Sequence, residues 1–193
     1  MRYDRPTRWF HAGIALGIAA QLGLSLVMNA PDDKDEVLAS GIPLLLFHTH
    51  ELIGFALLAL LLLHWLWSLS GHVQDGFGHL FPWFSKKRIN AIRGELKEAL
   101  KLKLSDPETN NALAGAVHGL GLLAATALAV TGAVIFFNLS DSGHMSQLGE
   151  TFHKIHGLIA PLMWAYLIGH FAISVIHKRM GRTNVKDMFS LFK

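Results

Sequence analysis

The 193-residue chain has no cysteine. That absence excludes disulfides, thiolate zinc, iron–sulfur clusters and the Cys-x-x-Cys-His attachment of covalent haem, so any cofactor must be held by other ligands. Histidine, with 12 copies, is the abundant candidate. Charge of either sign is missing from four stretches, residues 9–31, 52–74, 109–140 and 155–177. Each is at least as long as the roughly 20 residues a helix needs to cross the hydrocarbon core. Repeats and low-complexity tracts are also absent. The basic residues flank apolar segments without aromatic interleaving, so a nucleic-acid partner is not expected.

What is present is apolar: 51% of residues are hydrophobic and the mean hydropathy is +0.36, above the usual range of a soluble domain. The chain is therefore expected to be all-α, an integral membrane four-helix bundle over residues 1–193. Its transmembrane helices are expected near 8–29, 44–69, 112–137 and 154–176. Arg2, Arg5 and Arg8 precede the first apolar stretch as they would in a signal peptide. The stretch exceeds an h-region of roughly 7–15 residues, and Pro31 follows the small residue Ala30, so it reads as a retained helix. Of 17 Lys and Arg, three lie in the N-terminal tail, seven in the long loop after helix 2 and five in the C-terminal tail. Only Lys34 and Lys154 lie elsewhere. The positive-inside bias then puts both termini and the long loop in the cytoplasm. The net charge of +3 reports this topology.

The short loop over 30–43 carries the acidic run Pro31–Glu36. The long loop opens with SGHVQDGFGHLFPWF, whose aromatic residues suggest an interfacial turn. It continues as a helix with Ile89, Ile92, Leu96, Leu100 and Leu104 at helical spacing and Ser85 as N-cap. This reads as a basic amphipathic helix on the inner leaflet, with a solvated loop helix as the plain alternative. SDPETN ends it.

With alternating helix directions, each histidine acquires a depth. His48, His50, His153 and His156 fall at the outer side, and His11, His64, His118, His170 and His177 at the inner side. His50 to His64 and His156 to His170 are each 14 residues apart, roughly 21 Å along a helix and nearly the same face. His48, His72, His79, His144 and His153, near helix ends or in loops, read as interfacial or hydrogen-bonding groups. The two-layer set is different, because several intramembrane imidazoles each need an internal partner. Iron porphyrin supplies one: haem b needs an imidazole on each face, an apolar slot, and small residues where the macrocycle meets backbone. Gly13, Gly17, Gly54, Gly121, Gly132 and Gly157 are available, although each also suits plain helix packing. Zinc or another metal is disfavoured, since neither layer supplies carboxylates apart from Glu51 beside His50. Helices 2 and 4 alone could hold two haems, as His50 with His156 and His64 with His170; spacing leaves the pairing open.

The elements RWFHAGIALGI, HELIGFALLALLLLHWLW, HGLGLLAATALAVTG and HGLIAPLMWAYLIGH resemble the four helices of the bacterial cytochrome b561 family, which includes superoxide oxidases and the b subunits of hydrogenases and formate dehydrogenases. The resemblance covers nearly the whole membrane part. It implies two haem b groups, one between helices 2 and 4 and one between helices 1 and 4. His50 with His156 and His11 with His170 are then the axial ligands. His64 stands where some members carry arginine, which leaves its role open, and His118 is placed near a propionate or quinone. The family also implies quinone as one redox partner. His177, with Arg179 beside it at the inner interface, is a candidate to donate a hydrogen bond to a quinone carbonyl.

Three functions compete. The first is a stand-alone transmembrane dihaem cytochrome passing electrons from a periplasmic donor, superoxide or a redox protein, to quinone. The second is the membrane-anchor b subunit of a periplasmic hydrogenase or dehydrogenase. The third, of another class, is a haem-free metal-binding membrane protein.

Overall fold

The computed structural model describes residues 4–28, 41–70, 78, 80–101, 112–140 and 143–180. Among them lie five α-helices: α1 (Arg5–Ser25), α2 (Ile42–Leu69), α3 (Lys86–Leu100), α4 (Ala112–Phe137) and α5 (Gln147–Arg179). A short 3-10 turn, Pro82–Phe84, precedes α3. The described residues form no strand beyond a single bridge between Leu139 and Met145. The chain is all-α, as expected. The acidic run Pro31–Glu36, the SDPETN breaker, His72, His79 and Leu104 lie outside the described residues.

Three helices, α2, α4 and α5, are long and apolar enough to cross a membrane. Their large apolar side chains stand outward: Leu52 on α2 is 72% exposed and Leu158 on α5 75%. Such a surface suits lipid, since hydrocarbon takes the place of a protein core around it. α1 does not reach the same apolar standard. It is shorter, at 21 residues, and carries Arg5, Arg8, His11 and Gln21 along its length.

The helix ends follow capping chemistry that hydropathy does not reveal. Asp4 accepts the Thr7 amide at 2.9 Å, so α1 begins earlier than residue 8. Gly41, at φ +72°, accepts the Leu45 amide through its carbonyl and opens α2. α5 begins well before residue 154 because Ser146 caps it, its hydroxyl accepting the Gly149 amide at 3.2 Å. The same hydroxyl donates to Asn138 Oδ1 at 2.7 Å, and the Ser146 amide donates to the Asn138 carbonyl at 3.0 Å. These bonds tie the end of α4 to the start of α5.

The chain divides into two compact units, described separately. The first comprises Phe10–Leu62 and Ala124–Ala165. Its close packing is visible at Gly13 and Gly17, where an added Cβ would lie 2.7 Å from Leu60 and 2.9 Å from Leu57. The second comprises Met1–Trp9, Leu63–Leu123 and Tyr166–Lys193. In it the aromatic cluster of Trp65, Phe81 and Trp83 packs α2 against the 3-10 turn, with Trp65 stacked on Phe81 at 5.7 Å.

α3 lies in this second unit. Its one buried charge is Glu95, 5% exposed, whose two oxygens accept the Ala112 and Leu113 amides at 3.2 and 3.0 Å. A carboxylate on the first turn of α4 satisfies otherwise unpaired donors and complements the positive end of the helix. Ile89 and Ile92 are half-buried, whereas Leu96, expected to belong to the same stripe, is 48% exposed. Ser85 occupies the N-cap position but makes no side-chain capping bond. Lys86, Lys87, Arg93 and Lys97 are exposed.

Glu95→Ala removes two charge-assisted hydrogen bonds, so it is expected to loosen the start of α4 by about 2–3 kcal/mol. Amide exchange at Ala112 and Leu113 then rises; exchange equal to that of the unaltered protein would contradict the capping role.

Candidate functional site

In the first unit, α1, α2, α4 and α5 surround a cavity with an empty volume, mouth included, of about 1110 Å³. Its wall is mostly aliphatic and aromatic, from Leu22, Phe47, Phe55, Leu57, Leu128, Phe136 and Met163 among others. On α4 the lining residues Ala125, Ala129, Gly132 and Ala133 recur at helical spacing and form a face without bulk. Gly54 on α2 and Ala160 on α5 extend it. Among the described residues the polar lining is confined to Gln21, Ser25, His50, Glu51, His153 and His156.

His50 and His156 meet here, with ring centroids 6.4 Å apart and planes at 71°. A metal–imidazole bond is about 2.0–2.1 Å, and the nitrogen lies roughly 1.1 Å from its ring centroid. Two imidazoles on opposite sides of one metal ion therefore have centroids about 6.3 Å apart. The interplanar angle imposes no obstacle, because each ring can turn about its own metal–nitrogen bond. His50 Nδ1 is buried with no hydrogen-bond partner among the described residues. Separation, orphaned nitrogen and bulk-free wall all fit a flat macrocycle with a central metal.

Each of the two histidines is held from behind. Gln21 on α1 donates from Nε2 to the His50 carbonyl at 2.8 Å. It reaches that atom because residue 54, one turn along α2, is glycine: a Cβ there would lie 2.8 Å from Gln21 Nε2. Thr131 on α4, 5% exposed, places Oγ1 2.9 Å from His156 Nδ1. The same oxygen is 2.8 Å from the Ala127 carbonyl and 3.0 Å from that of Leu128. Neither Gln21 nor Thr131 carries a signal in the sequence, since both act across helices.

In the second unit His170 stacks on Tyr166, at 5.6 Å and 19°, and meets His118 at 5.2 Å and 69°. Glycine at 121 makes room for the Tyr166 ring, which an added Cβ would overlap. The 5.2 Å separation is shorter than the about 6.3 Å of two imidazoles across one metal. His64 lies in this unit beside Trp65, their rings 6.3 Å apart. His177 and Arg179 also belong here, the imidazole half-buried and the guanidinium exposed. His11 falls in the first unit.

The expected small residues thus divide. Gly54 and Gly132 line the cavity, Gly13, Gly17 and Gly121 admit neighbouring side chains, and an added Cβ at Gly157 meets open space. His48, expected to be interfacial, is 59% exposed and pairs with Glu51 at 2.7 Å. Among the described residues no three His, Cys, Asp or Glu gather as a metal-holding group.

Comparison with curated proteins and with solved structures gave no match. A sequence model of prokaryotic cytochrome b561 matches residues 2–191, nearly the whole chain. With facing histidines in an apolar cavity and helices of membrane length around it, the chain belongs to the prokaryotic cytochrome b561 family, membrane b-type cytochromes of electron transfer.

Proposed function

We propose that the protein is a stand-alone dihaem cytochrome crossing the bacterial inner membrane through α1, α2, α4 and α5 as one domain, with both termini cytoplasmic. It carries electrons from a donor at the periplasmic face, superoxide or a redox protein, to quinone. The observation that carries this reading is the 6.4 Å separation of His50 and His156 inside an apolar cavity.

His50 and His156 would hold one haem b through their imidazoles, and by the family pattern His11 and His170 would hold the second. Haem iron, when bound, supplies one-electron transfer. The protein does the rest. The aliphatic and aromatic wall excludes water, which keeps the local dielectric low and lets ligand and hydrogen-bond choice set the potential. Glu51, His153 and Ser25 add the remaining polar atoms of that wall. At the other face, quinone reduction takes up protons as well as electrons. His177 would donate a hydrogen bond to a quinone carbonyl, with the positive charge of Arg179 beside it. The exposed Lys86, Lys87, Arg93 and Lys97 of α3 lie against anionic lipid headgroups of the inner leaflet.

Among donors, superoxide is favoured. A redox protein needs a docking surface, and the segments linking α1 to α2 and α4 to α5 are short. The experiment is reconstitution of the purified protein in vesicles holding ubiquinone, with superoxide generated on the periplasmic side. Superoxide-dependent reduction of haem followed by quinol formation is expected. Haem that stays oxidised under superoxide, together with co-purification of a catalytic subunit, would replace this reading with that of a membrane anchor.

A further inference from the structure

Thr131 is buried among apolar residues, and its hydroxyl has one hydrogen and three neighbours. Those neighbours are the carbonyls of Ala127 and Leu128, at 2.8 and 3.0 Å, and His156 Nδ1 at 2.9 Å. A carbonyl has no hydrogen to give, so the hydroxyl hydrogen goes to the carbonyls one turn back along α4, the usual habit of threonine within a helix. The lone pairs of Oγ1 then remain for His156. A neutral imidazole carries its proton on one nitrogen only. If that proton sat on Nε2, Nδ1 and Thr131 Oγ1 would meet as two acceptors, and an N–H would be left in the apolar surroundings. With the proton on Nδ1, each of these atoms is satisfied and the Nε2 lone pair is free.

We infer that Thr131 is a positioning residue for the cofactor ligand His156: its hydroxyl accepts the Nδ1 proton, holds the ring in the tautomer whose Nε2 can bind iron, and raises the basicity of that nitrogen. The inference rests on the proposed seat of a haem between His50 and His156. Gln21 plays a complementary part on the facing ligand, anchoring the backbone of His50 where Thr131 anchors the ring of His156. One ligand is thus tuned electronically and the other is held only in place. A more basic axial imidazole stabilises ferric over ferrous iron, so Thr131 lowers the midpoint potential of this haem. Outer partners of this kind change metal affinity by about 10–100-fold when removed.

The test compares the full-length haem-loaded protein with Thr131→Val, which keeps the shape and loses the hydroxyl, and with Thr131→Ser, which keeps the hydroxyl. T131V is expected to raise the midpoint potential of one haem only. It should also weaken retention of that haem about tenfold against an excess of haem-accepting globin. T131S should keep the values of the unaltered protein. In reduced, diamagnetic protein labelled with 15N-histidine, one ligand Nδ1 proton should resist solvent exchange, and that protection should vanish in T131V.

Should T131V fail to fold, the NMR measurement on the unaltered protein decides alone: a freely exchanging Nδ1 proton overturns the inference. A T131S variant that behaves like T131V would also overturn it, by showing that the methyl group and its packing matter. An unchanged potential and retention in T131V, with one haem lost from His156→Ala, would sink the role of Thr131 and leave the haem seat standing. Two haems retained by His156→Ala would remove the seat itself.

Discussion

His156→Ala and His50→Ala should each cost the protein one haem, and it should be the same haem. Both imidazoles lie in one cavity at the separation of a shared metal. Deleting either would leave one of the two facing imidazoles; of the retained polar lining Gln21, Ser25 and Glu51 offer no imidazole, and His153 sits about one turn of α5 away from the position of His156. Losing a direct ligand exceeds the roughly 10–100-fold cost of losing an outer partner, so the haem should leave on purification. Haem content per chain then falls by half, and the redox difference spectra of the two variants superimpose. Spectra that lose different components would refute the pairing.

The second large effect separates His11 from His64. If His11 and His170 hold the other haem, His11→Ala keeps only the haem at His50 and His156, while His64→Ala keeps both. The physical distinction is one of helices: α1 contributes a ligand in the first case, and α2 and α5 hold both haems in the second. Haem content per chain and the potentials of what remains distinguish the two. Full retention in His11→Ala with half lost in His64→Ala would establish the two-helix scheme.

The long apolar helices were legible because their sequences carry no charge over membrane-length runs, and α4 in particular begins and ends where the hydropathy pattern changes. Helix starts set by hydrogen bonds were less so: Asp4 and Ser146 extend α1 and α5 to earlier residues than hydropathy alone suggests. Depth and helical phase put His50 and His156 in one layer, and the resemblance to the cytochrome b561 family paired them. Their supports were not legible. Thr131 and His156 are 25 residues apart and Gln21 and His50 are 29 apart, and no periodicity links positions on different helices. Glu95 left a faint trace as an acidic residue one turn from Ile92 in a basic helix. Its partners, the backbone amides of Ala112 and Leu113, have no side-chain signature at all. The contact of His118 with His170 was also hidden, because depth alone does not show which rings touch.

The most direct test of the central claim is the haem content and absorption spectrum of the purified full-length chain, expressed with ample haem supply. The account predicts two haem b per chain, low-spin in both oxidation states because two imidazoles hold each iron. Folded protein that emerges colourless would contradict it.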